Sequence, residues 1–184
     1  WLPRDATKGA WVMHTITQNL LIPTAGIDES NASDHYILWP KDPHATARKI
    51  HAWLRKRYGI KNIGVLITDS HSIMLRRGTV GISMAHYGFR PINDYRHTAD
   101  LFDRELKITQ SNIADGLAAA VVVCQGEGSE RCPVALISDV SFVTFISGQW
   151  RPKGSFSSHE VPLREDLYFQ LLEGLPWKKG GKKR

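Results

Sequence analysis

The spacing of apolar and polar residues along the chain predicts several short strands. In residues 11–22, β-branched and aromatic residues are interleaved with polar ones, a pattern typical of one or two strands with a bend near Gln18-Asn19. Residues 63–67 form a continuous apolar run that is too short for a helix, so they predict a central strand. Residues 79–84 alternate and predict another strand.

Two longer segments have the signals of helices. Asp42-Pro43 supplies an N-cap and a first-turn proline, and Gly59 ends the same helix. Its buried face is predicted from helical spacing to consist of Ile50, Trp53, Leu54 and Tyr58. A second helix is predicted from about Asn112 to Cys124, capped by Thr109 or Ser111 and followed by Gly126.

The remaining pattern favours an α+β fold. We expect a polar lead-in at 1–10, ordered loop at 88–103 and a short terminal helix at 165–173. Further strands are predicted at 36–38, 133–137 and 142–146. Strands outnumber helices and do not alternate with them regularly, which favours mixed or antiparallel sheets over a doubly wound parallel sheet.

Charge disfavours a nucleic-acid-binding function. The chain of 184 residues has a formal net charge of +6, with 24 Lys and Arg against 18 Asp and Glu. Five of these cations fall in the last seven residues, so the rest of the chain has 19 basic against 18 acidic residues. The basicity therefore belongs to a tail, residues 178–184. Such a tail is usually a solubilising end, and an RNA-associated function remains a minor alternative.

Length and cysteine use limit the class further. A chain that is 42% hydrophobic can bury one substantial core, and we predict a single domain over residues 1–177. Cys124 and Cys132 lack a Cys/His cluster, which favours reduced thiols in a cytoplasmic protein. No apolar run approaches the roughly 20 residues that a membrane span needs. Because the sequence begins with Trp1, we expect an upstream part to be missing.

Three acidic loops follow or precede apolar segments. They are Ala25-Gly-Ile-Asp-Glu-Ser-Asn31, the strand end Thr68-Asp-Ser70, and Gln125-Gly-Glu-Gly-Ser-Glu130. Hard cations such as Mg²⁺ and Mn²⁺ need several oxygen ligands from separate loops. The pattern predicts a metal site, although each acidic residue taken alone is also typical of a polar or capped turn. No Walker or Rossmann glycine motif is present, so a nucleotide would bind in another way.

Taken in order, the motifs of residues 20–140 resemble the coenzyme F-420-0:L-glutamate ligase family. The blocks that carry the resemblance are the loop 25–31, Pro40-Lys-Asp-Pro43, Val65-Leu-Ile-Thr-Asp-Ser70, Leu75-Arg-Arg-Gly-Thr-Val-Gly81, Asp94-Tyr-Arg96, Asp103-Arg-Glu-Leu-Lys107, Ile113-Ala-Asp115 and Gly126-Glu127. One departure is that His71-Ser-Ile-Met-Leu75 stands where many members have Gly-Arg-Pro.

The resemblance implies a two-metal, GTP-dependent enzyme that usually forms a homodimer. Asp28 and Asp69 would bind one divalent cation, and Ser70 and Glu127 a second. The guanine nucleotide would contact Asn31 and the loop residues Gln125, Gly126, Gly128, Ser129 and Glu130. L-Glutamate would be joined to a deazaflavin-type acceptor through an acyl phosphate, without a nucleophilic side chain. The alternative is a non-catalytic relative that binds metal and nucleotide.

Overall fold

The computed structural model describes residues 12–147 and 159–180. Its elements, in chain order, are β1 (His14–Thr17), β2 (Leu20–Pro23), α1 (Pro43–Tyr58), β3 (Val65–Ser72), β4 (Thr79–Tyr87), β5 (Ile92–Asp94), β6 (Gln110–Asn112), α2 (Ile113–Gln125) and α3 (Phe169–Glu173). Short 3₁₀ turns lie at Thr24–Gly26 and Leu163–Glu165. The strands pair as three antiparallel two-stranded sheets, β1 with β2, β3 with β4, and β5 with β6. The predicted α+β class is confirmed.

The hairpin of β3 and β4 is the centre of the molecule, and both long helices pack against it. A small core joins Ala47 of α1, Val65 of β3 and Ala85 of β4. α1 begins and ends as predicted, because the Asp42 carboxylate accepts the Ala45 N–H at 2.8 Å and Gly59 takes a left-handed conformation.

The predicted buried face of α1 is wrong except at Leu54, which packs against the core. Ala47 and His51 are buried, and Leu54 is only partly buried. Ile50, Trp53 and Tyr58 are exposed, although their spacing is helical. The small Ala47 allows α1 to lie close to β4, so the helix contacts the sheet through this side and turns its largest apolar residues outward.

α2 also packs against β4. Its N-cap is Asn112, whose side chain accepts the Asp115 N–H at 3.0 Å, and not Thr109 or Ser111. A Cβ atom added to Gly81 would lie 2.1 Å from the backbone oxygen of Ala118. The glycine therefore sets the distance between the strand and the helix. A hydrogen bond also joins α2 to β4, because Asp115 Oδ1 accepts the Ser83 N–H at 2.8 Å.

The other predicted elements are partly corrected. The predicted strand 36–38 is reduced to a single bridge between Ile37 and Asp28. The predicted strands 133–137 and 142–146 do not form, and only Phe145 makes a bridge, to Phe89. Without a neighbouring strand to supply a ladder of hydrogen bonds, an apolar run stays irregular. The predicted helix 165–173 is a 3₁₀ turn followed by the five-residue α3, and β5 lies within the predicted loop 88–103.

Several predictions lie outside the described residues. These are the polar lead-in 1–10, the first residue of the strand segment 11–22, and tail residues 181–184. Among the residues that are described, no helix combines the length and the apolar character that crossing a bilayer requires.

Candidate functional site

Asp69 and Ser70 lie inside β3, which is a correction to the sequence prediction. β3 begins at Val65 and continues to Ser72, so these residues do not follow the strand but form part of its ladder with β4. The pairing shifts between Ile67 and Thr68, immediately before the two polar residues. Such β-bulges redirect the side chains that follow them and are common next to active sites.

The Asp69 carboxylate has two internal hydrogen-bond donors. The indole Nε1–H of Trp39 donates to Oδ2 at 2.6 Å, and the Ser70 N–H donates to Oδ1 at 2.9 Å. The ring of Trp39 also contacts the loop of Asp28, because a Cβ atom on Gly26 would lie 2.3 Å from its Cε2 atom. Trp39 therefore joins the Asp28 loop to Asp69.

Asp28 is exposed and organises its own loop. The Ser30 hydroxyl donates to its Oδ2 at 2.7 Å and the Ser30 N–H to its Oδ1 at 2.9 Å. These hydrogen bonds, with that of the Ser30 hydroxyl the strongest, lower the pKa of Asp28 below its ordinary value. The carboxylate is thus held in its charged form, which is the form that a cation requires.

The loop after α2 contacts the first residue of β4 and the Asp28 loop. Thr79 Oγ1 donates to Glu127 Oε1 at 3.0 Å, which places Glu127 beside the first residue of β4. Asn31 Nδ2 donates to the carbonyl oxygen of Gly128 at 3.0 Å, across 97 positions of sequence. Within the loop, the Gly128 N–H donates to Glu130 at 2.8 Å. The predicted nucleotide-contacting residues Asn31 and Gly128 are thus in direct contact.

The alternation of β3 divides the predicted metal-binding residues into two pairs. Neighbouring residues of a strand point to opposite faces, and cross-strand partners share a face. Asp69 is therefore on the face that Trp39 connects to the Asp28 loop. Ser70 pairs with Gly81, two residues from Thr79, the partner of Glu127. The pairing of Asp28 with Asp69 and of Ser70 with Glu127 is the same as that implied by the resemblance, but it stays a prediction.

The donor set fits a hard divalent cation in its chemistry. Three carboxylates and a hydroxyl provide only oxygen ligands, as Mg²⁺ and Mn²⁺ prefer. However, within residues 12–147 and 159–180, no group of three or more His, Cys, Asp or Glu side chains is arranged to hold a metal ion. The residues therefore fit such a cation only in the type of their ligand atoms.

The residues that sequence reasoning missed are the ones that connect the loops. Trp39 stands immediately before the Pro40-Lys-Asp-Pro43 block, and Thr79 begins β4. Neither has a local pattern that indicates a polar contact with an acidic loop. His71 follows Ser70 in β3. Burial lowers its pKa, although the nearby carboxylates of Asp69 and Asp115 act in the opposite direction.

The fold and the contacts that join β3, the Asp28 loop and the loop after α2 define an α+β protein with an oxygen-rich candidate site beside its central hairpin. Residues 3–139 match the model of the F420-0:Gamma-glutamyl ligase family. The chain belongs to this family.

The chain is similar to several coenzyme F420:L-glutamate ligases. The coenzyme F420:L-glutamate ligase of Methanosarcina mazei is 35% identical over 134 residues, which cover 70% of this chain and 52% of the relative. The ligase of Methanocaldococcus jannaschii is 39% identical over 127 residues, 69% of this chain and 50% of the relative. The ligase of Archaeoglobus fulgidus is 35% identical over 150 residues, which cover 81% of this chain and 57% of the relative. The chain spans about half the length of these relatives.

Proposed function

We propose that this chain is part of an enzyme that joins L-glutamate to a carboxylate of a deazaflavin-type acceptor, using GTP and two divalent cations. Family membership supports the ligase class, and the similarity to coenzyme F420:L-glutamate ligases supports glutamate and the F420 acceptor. The observation that carries the proposal is the hydrogen bond between Asn31 and Gly128. It brings together two distant loops that the family resemblance assigns to one nucleotide site.

The reaction proceeds in two balanced steps. The acceptor carboxylate attacks the γ-phosphorus of GTP, so that an acyl phosphate forms and GDP leaves. The glutamate amine then attacks the acyl carbon, loses a proton and expels inorganic phosphate, which leaves an amide. Two bound cations would neutralise the phosphate oxygens and align them with the attacking groups. The chain's own contribution is positioning, and no side-chain nucleophile is required.

Each candidate residue has a defined part in this proposal. Asp28 and Asp69 hold one cation, and Ser70 and Glu127 hold the other. The loop residues contact the nucleotide, and they are Asn31, Gln125, Gly126, Gly128, Ser129 and Glu130. Gly126 has a φ of +79°, a conformation that glycine adopts without strain, so it can turn the chain from α2 into this loop.

The test is a product analysis of the protein in its natural full-length form. With GTP, Mn²⁺, glutamate and a deazaflavin acceptor, mass spectrometry should detect the glutamyl amide, and phosphate should be released only when both acceptor and glutamate are present. Asp69→Asn should lower the rate at least about 100-fold, because a charged ligand is lost. Asp166→Asn changes a carboxylate outside the matched region and should retain the wild-type rate. Equal rates for wild type and Asp69→Asn would contradict the proposal.

One observation favours the alternative of a non-catalytic relative. All three candidate carboxylates already accept hydrogen bonds: Asp28 from Ser30, Asp69 from Trp39 and Ser70, and Glu127 from Thr79. In addition, no three of the described His, Cys, Asp or Glu side chains are grouped so that they could hold a metal ion. Such a relative would bind Mn²⁺ and GTP but release no phosphate under the full assay. The same experiment therefore distinguishes the two functions.

We also propose that the protein acts as a homodimer. Large apolar side chains that point to solvent are costly in a monomer, and groups of them mark interfaces. Several such residues are exposed outside the helices and strands, including Leu101, Phe102, Ile108, Leu136 and Leu167. A second copy of the chain is the partner that the family resemblance implies. Light scattering on the preparation used for the assay should give twice the mass of the monomer.

A further inference from the structure

Trp39 makes a contact that the family motifs do not describe. Its indole N–H donates to Asp69 Oδ2 at 2.6 Å, and its ring is half-buried against Gly26, two residues before Asp28. It thus contacts both Asp69 and the turn that leads to Asp28.

The chemistry of this contact suits the orientation of a metal ligand. An indole N–H is a donor only, and it needs an acceptor when the ring is partly buried. A carboxylate oxygen has two lone-pair positions, so Oδ2 can accept this hydrogen bond and still present an electron pair to a cation. Partners of this type fix the orientation of the ligand, and their loss typically lowers metal affinity about 10- to 100-fold.

The contact is not needed to form the strand. Asp69 pairs with Ile82 in the ladder of β3 and β4, and that ladder holds the backbone irrespective of the side chain. Without the indole N–H, the hydrogen bond from the Ser70 N–H to Oδ1 would be the one that remains of the two described for this carboxylate, and Oδ2 would have lost its donor. The hydrogen bond from Trp39 therefore orients Oδ2, and the ring contact with Gly26 helps to hold the Asp28 loop beside it.

We propose that Trp39 is a positioning residue, which holds the Asp69 carboxylate and the Asp28 loop in place for one divalent cation. The inference rests on the proposed function, because it needs a cation between Asp28 and Asp69. The inference goes beyond the proposed function because it assigns a role to Trp39, a residue outside the family motifs.

The experiment uses terbium and manganese as probes on the full-length protein. Tb³⁺ binds hard oxygen ligands and emits when a nearby indole is excited, so the wild type should show sensitised emission that Mn²⁺ displaces. Trp39→Phe keeps an aromatic ring near Gly26 but removes the N–H. It should lose most of the emission, and Mn²⁺ affinity measured by titration calorimetry should fall about 10- to 100-fold. Trp53→Phe, a change at an exposed tryptophan of α1, should retain both properties.

Further outcomes separate the positioning role from the metal site itself. If Trp39→Phe binds Mn²⁺ as tightly as the wild type while Asp69→Asn does not, the role of Trp39 is overturned and the metal site stands. If the wild type binds no Mn²⁺, or Asp69→Asn binds it equally well, the proposed metal site fails.

A measurement on the wild type covers the case in which Trp39→Phe does not fold. Of the indole N–H resonances, that of Trp39 should broaden first when Mn²⁺ is added, and Asp69→Asn should abolish the preference. Uniform broadening of all indole resonances would overturn the positioning role.

Discussion

At the scale of single residues, Gly26 links backbone conformation to the candidate site. Its φ is +70°, and the ring of Trp39 occupies the space where a side chain would lie. Gly59 has nearly the same φ, +67°, but nothing lies within 4 Å of the position of its missing Cβ atom. The two glycines therefore separate the effect of conformation from that of contact.

We predict that Gly26→Ala destabilises the protein more than Gly59→Ala. A left-handed conformation costs a non-glycine residue about 1–2 kcal/mol, which applies to both variants. The overlap with Trp39 should add about 1–3 kcal/mol at Gly26 only. Urea unfolding measures the difference, and the double variant with Trp39→Ala should recover part of the added loss. Equal losses for the two glycines would show that the contact with Trp39 is absent.

Single-residue signals predicted part of this site. The acidic residues were identified from loops beside apolar segments, and Asp42 was identified as an N-cap from its position before Pro43. Trp39 was not identified, because an indole that donates to a carboxylate 30 residues away leaves no local pattern. Candidate ligands therefore carry a local sequence pattern, whereas a residue that orients them, such as Trp39, does not.

At the scale of elements, local signals fixed the ends of helices better than their faces. Capping chemistry acts within a few residues, so Gly59 was predicted correctly. The buried face of α1 depends on what the helix contacts. α1 packs against β4 through the side of the helix that carries the small Ala47, and Trp53 is therefore exposed. Residues 133–137 have the apolar composition of a strand but do not pair with another described strand. An apolar run does not specify its partner, so the absence of pairing could not be predicted from the run itself.

Two further glycines test how closely α2 packs against β4. Gly81→Ala would place a Cβ atom 2.1 Å from the backbone oxygen of Ala118, and backbone cannot yield as a flexible side chain does. We expect a loss of about 3 kcal/mol or more in the free energy of unfolding. Gly116→Ala, within α2 and with open space around it, should instead stabilise by about 0.5–1 kcal/mol.

Denaturant midpoints and slopes for both variants of this pair check the prediction. A Gly81→Ala protein as stable as the wild type would mean that α2 can move away from the strand at little cost. A loss of stability in Gly116→Ala would mean that its open face is covered in solution.

At the scale of the whole molecule, distant segments meet around His86. This residue of β4 is fully buried, its ring centroid is 5.6 Å from that of His159, and His159 Nε2 lies 3.1 Å from the carbonyl oxygen of Ser83. From the first turn of α1, His44 faces the same region and pairs with Glu160 at 3.5 Å. Among the described residues, neither ring nitrogen of His86 has a hydrogen-bond partner.

The protonation of His86 should therefore couple the stability of the whole molecule to pH. Burial, reinforced by the nearby His159 and His44, lowers its pKa from 6.5 to about 3. Between these values the unfolded chain binds a proton that the folded chain does not, so stability falls as pH decreases. The loss should reach about 2 kcal/mol at pH 5 relative to pH 8. Urea unfolding at both pH values measures it. In His86→Gln the loss of stability between pH 8 and pH 5 should be smaller than in the wild type. It should not vanish, because burial also lowers the pKa of His51 and His71.

His14→Gln, at an exposed position of β1, is the control and should lose as much stability as the wild type. An unchanged pH dependence of stability in His86→Gln would contradict a buried neutral His86.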